Sequence, residues 1–204
     1  MLSKDNKRKF LIILISPSGG GKTAIFTKIL ADNSEIKYSV SFTTRKARNN
    51  EVDGVHYNFI SEDKFLEMKK SGDFLESAIV HGYWYGTSKS YINNVLKKNN
   101  IIMDIDVQGA KQIMKSDVDH ITIFILPPSR EVWLERLKRR GTDSKEVIQV
   151  RLESAEKEIQ EIRDFQYLVI NDDLNKAVND IETIIKAEEN KIERYINIEE
   201  YYGG

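Results

Sequence analysis

The 204-residue chain contains no cysteine. That absence excludes disulfides, thiolate zinc sites and a cysteine nucleophile, and it accords with a reducing compartment. Histidine is scarce as well. His56, His81 and His120 lie far apart, without the spacing of metal ligands, and are expected to be structural or surface residues. Neither sign of charge dominates: 31 Lys and Arg stand against 32 Asp and Glu, a formal net charge of −1. No global field therefore draws the chain to nucleic acid or to a membrane surface, and neither is an expected partner. Long hydrophobic runs are missing too. Phe10–Ile15 is too short for a signal-peptide core or a membrane span, so a cytoplasmic location is expected. With no internal repeat and no low-complexity linker, one core with two insertions accounts for the length.

What is present begins with that same apolar run. It empties into Ser16-Pro17-Ser18-Gly19-Gly20-Gly21-Lys22-Thr23. A buried strand followed by a glycine-rich turn ending in Lys-Thr is the layout of a phosphate-binding loop. Consecutive glycines let backbone N–H groups converge on anionic oxygens, and the helix that follows aims its positive end at the same point. Lys22 then reaches the β- and γ-phosphates of a nucleoside triphosphate, and the Thr23 hydroxyl ligates Mg²⁺. Ser16 stands where the general pattern has glycine, a small-for-small exchange beside a proline that already fixes a turn.

Strand-like segments recur at Phe10–Ile15, Ile101–Val107, Ile121–Leu126 and Tyr167–Asn171. Helical patterns separate them at Thr23–Ala31, Ser90–Lys98, Gly109–Lys115 and Arg130–Arg139, and a terminal helix is carried by Ala177, Ile181, Ile184, Ile185 and Ile192. This alternation predicts an α/β protein with a parallel sheet between helical layers. Residues 36–87 break the rhythm with short strand patterns, Val55–Ile60 and Phe74–Val80, and a helix that Ser61 opens and Gly72 stops. Residues 127–163 form a second, charged helical insertion with an apolar stripe of Ile148, Leu152, Ala155, Ile159 and Ile162, and Asp143 with Glu146 suits a capping box.

The insertions and strand ends carry further chemistry. Arg45 and Arg48, with Tyr57 downstream, supply donors on the scale a phosphate monoester needs. Glu76 lies in a half-apolar strand, where an unpaired carboxylate is costly. Guanine offers N1–H and its 2-amino group side by side to such an acceptor, and the hydroxyls of Ser41 and Thr87 suit guanine O6 or N7. Tyr83, Trp84 and Tyr85, between Gly82 and Gly86, are expected in a turn against the ligand, with the Tyr85 hydroxyl on phosphate. Asp104 and Asp106, two apart at the end of a parallel strand, are expected to face the same side, where ligands bind in this architecture. Asp104 fits a place near Mg²⁺ through water, and Asp106 an acceptor towards the second nucleotide. Arg136, Arg140 and Arg151 in the second insertion suit a flap that stabilises charge during transfer, with Gly141-Thr142-Asp143 as its hinge.

In this order, S-P-S-G-x-G-K-T, S-x-T-T-R-x-x-R-x-x-E-x-x-G-x-x-Y, F-L-E…Y-G-T, D-I-D-x-Q-G, P-P-S and R-L…R-G-T-D resemble the guanylate kinase family, from about residue 10 to Asn171-Asp172-Asp173. The resemblance implies a P-loop nucleoside monophosphate kinase fold and ATP-dependent phosphorylation of GMP, or dGMP, with Mg²⁺. It also implies a core (about 1–35, 88–126 and 164–204), a GMP-binding subdomain (about 36–87) and a lid (about 127–163), acting as monomer or homodimer. On these motifs, residues 16–23 and Asn171 fall to ATP. Ser41, Arg45, Arg48, Tyr57, Glu76, Tyr85, Thr87 and Asp106 fall to GMP. Thr23 and Asp104 fall to the metal, and Lys22, Arg45, Arg136, Arg140 and Arg151 to catalysis.

Three other readings compete. One is a kinase for another mononucleotide, which Glu76 argues against. A guanylate-kinase-like phosphopeptide-binding module keeps the fold without catalysis, but those modules usually carry an eroded phosphate loop, whereas Lys22, Thr23 and Asp104 are present here. A GTPase switch would share the D-x-x-G of Asp106–Gly109, yet it also needs N-K-x-D, and Asn190-Lys191 is followed by Ile192-Glu193.

Overall fold

One strand, Leu11–Ile15, and one helix, Lys22–Asp32, joined by the glycine-rich loop, set the frame. The computed structural model describes residues 7–80, 82–138, 152–153 and 156–199. Strand β1 (Leu11–Ile15) is buried at every position, as a central parallel strand must be. Its alternate residues serve two cores. Ile12 and Leu14 pack with Ile25 and Ile29 of α1 (Lys22–Asp32) and with Ala177, Val178, Ile181 and Ile185 of α6 (Leu174–Glu189). Leu11, Ile13 and Ile15 pack on the opposite face against Ile92 of α3 (Lys89–Val95) and Val107, Ala110 and Ile113 of α4 (Val107–Met114). Each Val, Leu or Ile side chain among them contributes about 1.5–3 kcal/mol over leaving it exposed.

The core sheet has five parallel strands in the order β2 (Lys37–Tyr38), β7 (Ile101–Asp104), β1, β8 (His120–Leu126) and β9 (Tyr167–Ile170). A second sheet has the order β4 (Asn58–Phe59), β3 (Phe42–Thr43), β6 (Tyr83–Ser88) and β5 (Phe74–Val80), and is antiparallel except for the β3–β4 pair. Between β4 and β5 runs α2 (Glu62–Lys70), capped by Ser61, whose side chain accepts from Lys64 N–H; Gly72 follows at φ 75°. The second insertion opens with helix α5 (Arg130–Lys138). Residues 156–160 are also helical.

Four sequence expectations change. Strand β7 ends at Asp104, so the predicted strand to Val107 is too long: Asp106 instead caps α4, accepting from Gly109 N–H at 2.9 Å. Asp104 and Asp106 are therefore not neighbours on one strand face. Tyr83, Trp84 and Tyr85 belong to β6 rather than to a turn; the turn is at Gly82, φ 82°. Ile192 lies beyond α6 and is 78% exposed, so it carries none of that helix's buried face. The predicted stripe divides, because Leu152 and Ile159 pack on Trp133 and Leu137, whereas Ile162 sits in a 3-10 turn (Ile162–Asp164) on the sheet core. Ile148, Ala155, Asp143, Glu146, Gly141 and Thr142 lie outside the described residues, as do Arg140 and Arg151.

Candidate active site

The phosphate loop takes its shape from three neighbours. Gly21 adopts φ 92°, and a Cβ there would lie 2.2 Å from Asn171 Nδ2. At Gly20 a Cβ would meet Ser16 Oγ at 1.8 Å, so Ser16 fills that space and bonds the Pro17 carbonyl. Asn171, buried at the end of β9, donates Nδ2 to the Gly20 carbonyl at 2.8 Å. From α5, Trp133 Nε1 donates to the Ser18 carbonyl at 2.8 Å, and Arg136 donates to the Asn171 carbonyl at 3.0 Å. The loop is thereby clamped from the sheet and from the helix. Within it the Gly20 N–H donates to the Pro17 carbonyl at 2.9 Å, and the loop leads straight into α1, whose first residue is Lys22. Asn171 thus acts through Gly20, and Trp133 of α5 holds the loop although the sequence motifs did not single it out.

One cavity of about 230 Å³ joins this loop to the second sheet. Ser16, Ser18 and Lys22 line one end; Ser41, Tyr57, Glu76 and Tyr85 line the other, with Asp104 and Asp106 also on its wall. Lys22 Nζ donates to the Ile105 carbonyl at 3.3 Å. Thr23 and Arg48 are exposed. Asp104 accepts from the Tyr38 hydroxyl at 2.5 Å, a contact no motif foretold, since Tyr38 reaches it from the neighbouring strand β2. Burial, then the Asp104 charge and bond, push the Tyr38 phenol up. Tyr57 is likewise pushed up to about 12, chiefly by burial and then by Asp104.

Glu76 is 4% exposed and accepts from the Thr87 hydroxyl at 2.6 Å. Burial pushes its carboxyl up to about 7, against the stabilising Thr87 bond and with the Asp106 charge adding to the rise. Thr87 therefore orients the carboxylate here rather than standing free for a ligand. The register that places Glu76 is held by Gln112 of α4, whose amide both accepts from Ser77 N–H (3.1 Å) and donates to the Ser77 carbonyl (2.9 Å). Gly109 lies beneath: a Cβ there would come within 2.6 Å of Glu76 Oε2. Gly109→Ala is therefore expected to drive the carboxylate out of its buried position. In a carboxyl-carbon NMR titration the Glu76 midpoint should fall from about 7 towards the ordinary glutamate value. An unmoved midpoint would show that the carboxylate does not rest on Gly109.

Glu158, in the helical stretch 156–160 within the second insertion, also reaches the cavity. Burial pushes it up to about 7, with Lys22 opposing and Asp106 and Glu161 reinforcing the rise. Nothing in the local sequence distinguishes it from the surrounding glutamates; only the packing of Ile159 and Leu152 on Trp133 and Leu137 turns it inward. Asp106 is pushed up by burial as well.

An oxygen site for Mg²⁺ with few protein ligands fits this donor set. The ion takes one or two protein oxygens, keeps several waters and draws the rest from phosphates. Thr23 hydroxyl and Asp104 carboxylate are oxygen donors beside the phosphate loop, and no cluster of three or more acidic or histidine side chains forms a protein-only cage among the described residues. No helix among the described residues is long and apolar enough to cross a membrane.

The family model described as Guanylate kinase matches residues 8–188. A guanylate kinase of Methylobacillus flagellatus is 46% identical over 187 residues, 91% of this chain and 93% of the relative. One of Clostridioides difficile is 44% identical over 193 residues, 94% of each. The crystal structure of guanylate kinase from Anaplasma phagocytophilum shares the architecture with a TM-score of 0.79 at 32% identity, covering 97% of this chain and 95% of that one. With its phosphate loop, cavity and two sheets in one arrangement, this chain belongs to the guanylate kinase family.

Proposed function

We propose that the protein transfers the γ-phosphoryl group of ATP to GMP, giving ADP and GDP. The observation that carries this reading is the single cavity that has Lys22 and the phosphate-loop serines at one end and the Glu76 carboxylate at the other. The loop N–H groups of residues 16–23 and Lys22 hold the donor phosphates, with Asn171 fixing the loop through Gly20. Arg45, Arg48, Tyr57 and Tyr85 receive the acceptor phosphate. Glu76 accepts from guanine N1–H and the 2-amino group, Ser41 faces the other guanine edge, and Thr87 aligns Glu76. Asp106, on the wall between the two ends, accepts from the second nucleotide.

Phosphoryl transfer asks little covalent chemistry of the protein. A phosphate oxygen of GMP is already anionic at neutral pH and forms the new P–O bond as the bond to the ADP oxygen breaks, so no general base is needed. The protein's share is alignment and charge: Lys22 beside the loop, and Arg136 at the loop's edge through Asn171. Arg140 and Arg151 are proposed to add cationic charge from the second insertion. Thr23, and Asp104 through water, would hold Mg²⁺, which supplies neutralisation of the donor phosphates. Residues 36–87 are accordingly the proposed GMP-binding subdomain and 127–163 the lid.

The direct test is a coupled assay with ATP and each of GMP, AMP, UMP and CMP. Turnover with GMP at a kcat/KM about 10⁴-fold or more above AMP is expected, the ratio that a site built around buried hydrogen-bond partners reaches. Equal use of AMP would remove the guanine reading. Phosphopeptide binding without any turnover would move the chain to the non-catalytic module.

A further inference from the structure

Arg45 is not free to receive a phosphate in the way a pair of open arginines would be. A guanidinium has five N–H donors. In Arg45, Nη1 donates to the Lys46 carbonyl at 2.7 Å and to Glu51 Oε2 at 2.9 Å, Nη2 donates to Glu51 Oε1 at 2.8 Å, and Nε donates to the Tyr85 hydroxyl at 3.2 Å. One Nη2 N–H remains. The guanidinium also lies over the rings of Tyr57 and Phe59, at 5.4 and 5.8 Å. Its side chain is 12% exposed and that of Glu51 is 16% exposed, so the pair is shielded from water in a way that surface ion pairs are not.

Glu51 does more than neutralise. Its Oε2 also accepts the Arg48 backbone N–H at 2.8 Å, and its own N–H donates to the Arg48 carbonyl at 2.9 Å. The Arg45 bonds hold its carboxyl below the usual glutamate range, so it stays ionised. One carboxylate thus fixes the side chain of Arg45 and the backbone from which Arg48 projects. The Arg48 guanidinium itself is exposed and bonds no other described residue.

We propose that Glu51 is the positioning residue of the acceptor-phosphate site, holding Arg45 as a charge-neutralised platform and leaving Arg48 to bring the net positive charge. This rests on the reading of the site as one for GMP. The two arginines of the motif then have different tasks. Arg45 presents a single oriented N–H and, through Nε, fixes the Tyr85 hydroxyl that faces the cavity. Arg48 closes on the phosphate as a mobile cation. A bidentate carboxylate–guanidinium pair has the planar geometry for such a platform, and an amide or an ammonium in either place does not.

The sign of the effect of Glu51→Gln separates positioning from simple counter-charge. If Glu51 only screened Arg45, removing its charge would tighten binding of the anionic phosphate. If it positions, the affinity falls. The experiment compares wild type, Glu51→Gln, Arg45→Lys and the double variant, using calorimetric affinities for GMP and for guanosine, and KM and kcat for GMP and ATP. Thermal midpoints check folding. Expected are a GMP affinity lowered about ten- to hundredfold by Glu51→Gln, the loss of charge-assisted hydrogen bonds, with guanosine affinity, KM for ATP and kcat changed less than about threefold. Arg45→Lys should lower GMP affinity to a similar extent, and the double variant should lose no more GMP affinity than the worse single, because the two act as one unit.

Tighter or unchanged GMP binding by Glu51→Gln would overturn the proposal. So would equal losses for GMP and guanosine, which mark a general collapse of the loop, or additive losses in the double variant. A wild-type chain that binds guanosine as well as GMP would overturn the reading of the phosphate site itself, and the proposal with it.

Discussion

Lys22→Ala is expected to lower kcat for phosphoryl transfer from ATP to GMP by about 10³-fold or more, the scale on which single charged groups act on a phosphoryl or oxyanion transition state. The thermal midpoint should hardly move. Lys22 opens α1 but is not one of that helix's buried residues, Ile25 and Ile29, and among the described residues its ammonium bonds only the Ile105 carbonyl, at 3.3 Å. Stability therefore loses little. Function loses the cation of a cavity that also holds Asp104, Asp106, Glu76 and Glu158. In such a wall of carboxylates, the approach of a triphosphate depends on the loop N–H groups, Lys22 and the Mg²⁺ that Thr23 and Asp104 are proposed to hold. Rapid-quench measurement of a single turnover at saturating ATP and GMP separates the chemical step from product release. A folded Lys22→Ala variant with near-wild-type turnover would remove residues 16–23 from the reaction.

Glu76 carries the second large expectation. Its ionised form is the acceptor that guanine requires, yet burial holds its carboxyl at about 7. Affinity for GMP should therefore fall as pH drops below about 7, by close to tenfold per pH unit once the proton dominates, while affinity for ATP follows no such curve. Stability moves the other way. The folded-state value is raised above the ordinary 4.5, so the folded protein is favoured below that value and loses this contribution as pH rises from about 4.5 to about 7. Glu76→Gln should raise thermal stability near pH 8, because a neutral amide avoids the desolvation of a charge. The same change should reduce the GMP-over-AMP ratio of kcat/KM by orders of magnitude, since the amide donates where guanine also donates. Glu76→Ala should cripple GMP use without reviving AMP. Unchanged base preference in a folded Glu76→Gln would make Glu76 a structural acid and place guanine recognition elsewhere.

The two expectations differ in how far the chain order alone foretells them. Ser16–Thr23 is a local device: strand, turn and helix follow one another, so the geometry is written in consecutive residues. Glu76 is visible as an acid in a half-apolar strand, but its altered acidity comes from elsewhere. Thr87 sits opposite on β6, Gly109 beneath it on α4, and Asp106 at that helix's cap. The paired aspartates show the limit of local reading. Period-two spacing places Asp104 and Asp106 on one strand face only if the strand continues, and it stops because Asp106 caps α4 through Gly109 N–H.

By itself the sequence determined the α/β class, the buried central strands and the phosphate loop. It also determined the helix caps at Ser61 and Gly72 and the motifs that carry the family likeness. These follow from interactions between residues a few positions apart, where periodicity and turn chemistry are decisive. Tertiary structure alone decided the order of the five core strands, the clamping of the loop by Asn171 and Trp133, and the Tyr38 bond to Asp104. It also decided that Glu158 turns inward and that Glu51 takes two of the five Arg45 donors. Charge and burial at these positions depend on partners up to 151 residues away, as between Gly20 and Asn171. Desolvation acts through space rather than along the chain, so no local pattern encodes it.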